Sequence, residues 1–176
     1  MHILFLAYYH PRYMEPLKYW GGLFRRKGWT VKEMYPDAFY KEDVLEELEN
    51  DHDLIIYFGH GIPGAWSGFG TISADDIAKI KSKSNKRVII SLSCGSLSSM
   101  NGKNIAEAFI RNYLALYVVG YKGRIRYKEN LDVVNQVFSW LLDSEELKID
   151  FLVSQINDLN NIQLHIMSNR DSRYIY

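Results

Sequence analysis

Cysteine is the rarest residue in this sequence: of its 176 residues only one, Cys94, is a cysteine. A single cysteine excludes an internal disulfide, so we predict a protein of a reducing, cytoplasmic compartment. The sequence also lacks an excess of positive charge, because 21 Lys and Arg residues balance 21 Asp and Glu residues. A nucleic-acid-binding surface is therefore not indicated, since such a surface needs basic residues to neutralise phosphates.

Long hydrophobic runs are missing as well. No apolar stretch approaches the roughly 20 residues that a bilayer-spanning helix needs, so we expect no membrane segment. The opening MHILFLAYYHP has neither a basic leader nor a small-residue cleavage site, and we interpret it as a first strand rather than a signal peptide. Repeats, low-complexity tracts and linkers rich in Pro or Gly are also absent, which predicts one domain over residues 1–176.

Strand-like and helix-like segments alternate along the chain. Amphipathic stretches of helical length separate the following apolar runs of strand length: HILFLAYY, DLIIYFG, KRVIISLS and ALYVVGY. This alternation is typical of β-α-β units, so we predict an α/β fold, a three-layer α/β/α sandwich with a mainly parallel central sheet. The last apolar run, IQLHIMS, is a candidate for an exposed edge strand.

Two of the apolar runs end on residues that can carry out chemistry. LIIYFGHGIPGAW places His60 between two glycines after one strand, and VIISLSCGS places Cys94 among small residues after another. Ligands of open parallel sheets bind beyond the carboxyl ends of the strands. A cysteine nucleophile needs a nearby base and backbone N–H donors for the developing oxyanion. The simpler alternative is that Cys94 is a small buried hydrophobe and that His60 marks a tight turn.

The order of these motifs resembles the caspase-like (clan CD) cysteine peptidases, and among them the CHAT domains most closely. YFGHG, GTISADDIAKI and VIISLSCGS follow the family's order of a Gly-His-Gly strand end, a helix start and a strand that ends on the cysteine. The similarity covers about residues 51–143. It implies a caspase-like fold, a catalytic dyad of His60 and Cys94, and an oxyanion hole formed by the backbone N–H groups of Gly61 and Cys94.

The residues that bind substrate are less well marked. Leu92 stands where metacaspases and paracaspases carry an aspartate that helps to hold a basic substrate residue, so a preference for Arg or Lys cannot be carried over. Lys122 and Arg124 are candidates for attracting an acidic side chain, and Trp66 is a candidate for a pocket wall. The alternatives are that the two cations pair with Glu129 or face solvent, and that Trp66 anchors its loop in the core.

From these features we predict a cytoplasmic cysteine endopeptidase that hydrolyses a peptide bond in a protein or peptide substrate. No metal or organic cofactor is expected, because the sequence has no ligand cluster, no Walker loop and no G-x-G-x-x-G after a strand. Two alternatives stay open: a catalytically inert interaction or regulatory module with the same fold, and acyl transfer on a non-peptide substrate. A regulatory partner chain and a homodimer paired through the edge strand are possible partners.

Overall fold

The structure is a computed structural model that describes residues 1–81, 88–144, 154–155 and 164–168. In chain order the described elements are β1 (His2–Ala7), α1 (Pro11–Arg26), β2 (Thr30–Met34), α2 (Lys41–Glu47), β3 (Leu54–Phe58), β4 (Gly61–Ile62), β5 (Ala65–Trp66), β6 (Ile72–Ser73), α3 (Ala74–Ile77), β7 (Val88–Leu92), α4 (Ile105–Arg111), β8 (Tyr117–Tyr121), α5 (Tyr127–Asp143) and β9 (Leu164–Ser168). The stretch EELKIDFLVSQINDL (residues 145–159), whose pattern predicts a further helix, lies almost wholly outside the described residues. None of the helices within the described ranges has the length and apolar character needed to cross a bilayer.

Within the described residues six strands form the central sheet, in the order β2-β1-β3-β7-β8-β9. All neighbouring pairs are parallel except the last, in which β9 runs antiparallel to β8. The prediction of a mainly parallel sheet is therefore confirmed, and the expected edge strand IQLHIMS supplies β9. A small antiparallel sheet, β4-β5-β6, is inserted between β3 and β7.

The two faces of the sheet pack against different helices because side chains alternate along each strand. On β1, Phe5 faces the layer formed by α1 and α5, where its ring stacks on Phe138 with the centroids 5.5 Å apart. Its neighbours Leu4 and Leu6 face the layer of α2, α3 and α4, which contributes residues such as Phe109. These two apolar clusters make the three-layer sandwich that the sequence predicts.

The start of α1 brings polar groups to the carboxyl end of β1. The helix begins at Pro11, a residue whose fixed φ and missing N–H suit a first helical position. His10 caps it, since its ring accepts a hydrogen bond from the Arg12 N–H at 3.3 Å. Arg12 and Tyr13 therefore lie in the first turn of α1, next to the end of the strand that precedes it.

Candidate active site

His60 and Cys94 occupy equivalent positions on neighbouring strands. Phe58 and Leu92 are the last registered pair of β3 and β7, and the Gly59 N–H extends the ladder by donating to the Leu92 carbonyl at 3.3 Å. His60 and Cys94 each lie two residues beyond that pair. Because neighbouring strands are roughly 4.8 Å apart, the segments that continue β3 and β7 lie side by side. They lie on the rim, which is the sheet edge formed by the carboxyl ends of β1, β3, β7 and β8.

Both residues also belong to the same side of the sheet. Phe58 and Leu92 lie in the core on the α1–α5 side, and the two-residue period of strands assigns positions 60 and 94 to that side too. The contacts agree: the His60 ring touches Tyr13 of α1, and the Cys94 Sγ accepts from the Ile125 N–H at 3.4 Å. Neither side chain is enclosed in the interior, since His60 is exposed and Cys94 is half-buried.

Aromatic side chains hold the His60 ring. Its Nε2 lies 3.2 Å from the Tyr13 hydroxyl, and Arg12 Nη2 donates to the same hydroxyl at 3.2 Å. The Tyr8 ring meets the imidazole edge-on, with the centroids 4.6 Å apart. Partial burial lowers the pKa of His60, and electrostatic interactions with the nearby Arg12 guanidinium and His10 ring lower it further. At neutral pH the imidazole is therefore uncharged and able to accept a proton.

The backbone of His60 is fixed as well. Its carbonyl accepts one hydrogen bond from the Tyr57 hydroxyl, at 2.7 Å, and another from the Ser67 N–H, at 3.0 Å. Tyr57 is fully buried, and burial raises the pKa of its hydroxyl, which keeps the donor proton in place. The Gly68 N–H completes this network by donating to the Tyr57 oxygen at 3.0 Å.

Close packing explains why glycines flank His60. A Cβ at Gly59 would lie 2.5 Å from the Tyr8 Cβ, and a Cβ at Gly61 would lie 2.7 Å from Ser93 Oγ and 2.9 Å from the Cys94 carbonyl oxygen. Separations of that size are far inside van der Waals contact, so the backbone at both positions needs glycine. Gly61 thus lies directly against the backbone that carries Cys94.

Trp66 does not have the expected place in a pocket wall. Its side chain is 0% exposed and stacks on Tyr57 with the ring centroids 4.7 Å apart. Its Nε1 donates to Ser91 Oγ at 2.7 Å, which satisfies the indole N–H inside the core. The expectation that Trp66 binds substrate is therefore wrong, and the alternative of a loop anchor in the core is what the structure shows.

Lys122 and Arg124 lie in the loop of residues 122–126, which follows β8. This loop borders Cys94, because its Ile125 N–H contacts the sulfur and its Gly123 carbonyl accepts from the Gly95 N–H at 2.9 Å. Both cations are exposed, and in the described part of the chain neither forms an ion pair with Glu129 or another carboxylate. Their role in substrate binding stays a prediction.

The main residues that sequence reasoning missed are Arg12 and Tyr13. Both belong to the stretch YYHPRY, which directly follows β1, a neighbour of β3 in the sheet. The rule that singled out His60 and Cys94, polar residues after the carboxyl end of a central strand, would also have found this stretch. His10 caps α1 and in addition lowers the pKa of His60.

A six-stranded sheet of this topology, with the histidine and the cysteine beyond adjacent central strands, defines a caspase-like fold. The chain belongs to peptidase family C25, whose family model matches residues 7–165. The membership confirms the predicted relation to the caspase-like, clan CD peptidases. The model that matches describes C25 rather than the CHAT domains.

Three solved structures share the fold. The Arg-specific cysteine proteinase gingipain R matches with a TM-score of 0.69 and 12% identity, over 81% of this chain and 36% of that chain. The complex of the pro- and mature domains of RgpB from Porphyromonas gingivalis matches with a TM-score of 0.65 and 11% identity, over 83% and 38%. A structure described only as a protease gives 0.59 and 16%, over 74% and 30%. The chain spans a little over a third of the gingipain structures, and no curated protein matches it.

Proposed function

We propose that this protein is a cysteine endopeptidase in which Cys94 is the nucleophile and His60 transfers the proton. One observation carries the proposal: the two residues lie at equivalent positions beyond the registered pair Phe58–Leu92, on the same side of the sheet and accessible to solvent. Membership of peptidase family C25 supports the same chemistry.

The proposed reaction has two stages. His60 takes the proton of the Cys94 thiol, and the sulfur attacks the peptide carbonyl carbon to form a C–S bond. The oxygen then carries negative charge, which the N–H groups of Gly61 and Cys94 are proposed to stabilise. The C–N bond breaks as His60 returns its proton to the departing amine. Water then attacks the thioester, the C–S bond breaks, and a carboxylic acid and the free thiol are released.

Tyr13 acts in this scheme as a positioning residue. Its hydroxyl occupies His60 Nε2, which leaves Nδ1 as the ring nitrogen that exchanges the proton with the thiol and the amine. The lowered pKa of His60 suits both steps. A neutral ring accepts the thiol proton, and the imidazolium that results is a stronger acid toward the leaving group.

A cleavage screen on a peptide library tests the proposal, with Cys94→Ala as the matched control. We expect the wild-type protein to cleave a subset of peptides and Cys94→Ala to cleave none. Cleavage that persists in Cys94→Ala would contradict the proposal. If Cys94 accepts an acyl group from small esters but no peptide is cut, the result would favour acyl transfer on a non-peptide substrate. Inertness in both assays would favour a binding module.

Finer features of the function are also proposals. Lys122 and Arg124 belong to the loop whose Ile125 N–H contacts the Cys94 sulfur. Both cations are suited to an acidic side chain of the substrate, so we propose that a peptide with Asp or Glu near the scissile bond is preferred. The preference is tested by substituting Lys122→Glu and Arg124→Glu together, which should abolish it. The RgpB structure contains a pro-domain with the mature domain, and a regulatory partner chain is proposed here by analogy.

Three further proposals rest on the sequence and on the order of strands in the sheet. Pairing of two copies through β9, the strand at the edge of the sheet, is tested by sedimentation, where a strictly monomeric species at high micromolar concentration would contradict it. The cytoplasmic location depends on the single cysteine. The closer relation to the CHAT domains depends on the sequence motifs alone.

A further inference from the structure

An aromatic pocket opens on the rim next to His60. Its volume is about 490 Å³, and residues 67–70 contribute to its lining. Five of the lining residues are aromatic: Tyr8, Tyr9, Phe39, Tyr40 and Phe69; Pro36, Lys41 and Glu42 also line it. Two of these rings are left largely uncovered, since Tyr9 is 65% and Tyr40 77% exposed.

The pocket and His60 share structural elements. The Tyr8 ring that lines the pocket is the ring that packs edge-on against the imidazole at 4.6 Å. Ser67, another lining residue, donates its N–H to the His60 carbonyl at 3.0 Å. Tyr8 and Ser67 therefore link the pocket, whose Phe39 and Phe69 belong to the apolar cluster on the α2–α4 side of the sheet, to the group that is proposed to protonate the departing amine.

The strand order decides which part of a substrate would reach this pocket. Along the rim come first the pocket, at the ends of β1 and β2, then His60 after β3, then Cys94 after β7, then the loop of residues 122–126 after β8. During peptide hydrolysis the acyl part stays bonded to Cys94, whereas the amine part takes its proton from His60. The segment on the C-terminal side of the scissile bond thus leaves across His60, toward the pocket.

The lining also indicates the chemistry of the occupant. Lys41 lies at the pocket, but its ammonium is paired with Asp76 at 2.7 Å, which leaves the rings as the main wall. Glu42 lies in the first exposed turn of α2, where water solvates it. Rings offer a large contact area to an apolar partner, and the tyrosine hydroxyls, Ser67 and Glu42 add polar groups to the same lining.

We propose that this pocket binds a bulky apolar or aromatic side chain of the substrate on the C-terminal side of the scissile bond. The inference rests on the proposed peptidase function and adds a substrate preference to it. It makes Tyr40 and Tyr9 specificity-determining residues, because their exposed rings gain contact area when such a side chain is bound.

Two substrates with the same acyl part test the proposal. One has a small chromogenic leaving group, and the other extends past the scissile bond with a Phe or Leu residue. The readout is the ratio of kcat/KM for the extended substrate to that for the short one. We expect Tyr40→Ala and Tyr9→Ala each to lower this ratio by about threefold to tenfold, the size of effect expected when one aromatic contact is lost. Tyr19→Ala removes a tyrosine of similar exposure, 64%, outside the pocket and should leave the ratio as in wild type.

An unchanged ratio in both pocket variants would overturn the proposal, as would a wild-type preference for charged or small residues at that substrate position. Failure of the proposed function has a different signature, in which neither substrate is hydrolysed. In that case binding decides: a peptide beginning with Phe, titrated into Cys94→Ala protein, should bind more tightly than one beginning with Ser. Tyr40→Ala should remove that difference, and equal binding of the two peptides in the Cys94→Ala protein would contradict the pocket assignment.

Discussion

On the His60 side of the rim, aromatic side chains hold the proposed catalytic imidazole, whereas on the Cys94 side backbone groups and small residues hold the proposed nucleophile. The imidazole is oriented by the Tyr13 hydroxyl and the Tyr8 ring. The sulfur contacts the Ile125 N–H, and the next residue, Gly95, donates its N–H to the Gly123 carbonyl. Side-chain contacts can be weakened one at a time, while a close backbone approach has no room for an added atom.

The two sides meet at Gly61, where the comparison predicts the largest effect. Gly61→Ala places a methyl group 2.7 Å from Ser93 Oγ and 2.9 Å from the Cys94 carbonyl oxygen, so the backbone must move. Loss of one oxyanion donor costs on the order of 10²–10³ in kcat, and we expect a fall of that size in steady-state hydrolysis. Gly22→Ala, in open space on α1, is the control and should leave kcat unchanged. A fall of less than threefold in Gly61→Ala would contradict this close approach.

The side-chain contacts on the His60 side predict a smaller loss. Tyr13→Phe removes the hydroxyl from Nε2 but keeps the ring, and since one hydrogen bond contributes about 0.5–1.5 kcal/mol, kcat should fall up to about tenfold. Tyr35→Phe also removes a hydrogen-bonded hydroxyl, from Glu33, and should leave kcat unchanged. A rise in KM alone, with kcat and its pH profile as in wild type, would show that Tyr13 does not position the imidazole.

The charge of Arg12 predicts a shift in pH dependence rather than a large loss. Its guanidinium disfavours the imidazolium form and so helps to lower the pKa of His60. Arg12→Gln removes that repulsion, so the pKa of His60 rises and the acid limb of the pH–rate profile moves to higher pH. NMR titration of the His60 ring measures the shift directly. A pKa that stays the same or falls in Arg12→Gln would contradict the electrostatic explanation.

The smallest effect on catalysis is expected from Trp66, which is buried below the rim. Trp66→Phe keeps a ring against Tyr57 but removes the hydrogen bond to Ser91. Ser91 Oγ keeps its contact with Ser93 Oγ, so we expect the free energy of unfolding to fall by roughly 0.5–1.5 kcal/mol for the lost hydrogen bond, with hydrolysis rates close to wild type. Urea denaturation and steady-state assays test this. A loss of activity without a loss of stability would contradict the role of core anchor and indicate that Trp66 takes part in substrate binding.

The sheet and the positions of His60 and Cys94 could be predicted because they depend on local pattern. Apolar runs of strand length identify β3 and β7, and the residue type that follows each run needs no knowledge of distant parts of the chain. The same rule points to the stretch that contains Tyr13, but it does not show that the Tyr13 hydroxyl contacts His60, 47 positions away, because that contact also depends on how α1 packs after β1 and β3 pair.

Trp66 shows the same limit, because its sequence position indicated a place in the site whereas its side chain lies in the core. As an aromatic residue shortly after His60, Trp66 is of a residue type that often lines pockets. Its burial in the core depends instead on a hydrogen-bond partner on another strand. Ser91 supplies that partner from β7, so the indole N–H is satisfied in the core. A polar residue in an apolar strand is a signal for such a partner, but the sequence does not say which side chain it will meet.

The central claim, that His60 and Cys94 act together, is tested most directly by the rate at which iodoacetamide alkylates Cys94 at pH 6–7. Activation by the imidazole predicts rapid, stoichiometric labelling in the wild-type protein and labelling at the rate of a free cysteine in His60→Ala. Labelling of the wild-type protein no faster than a free cysteine, with no change in His60→Ala, would contradict the claim.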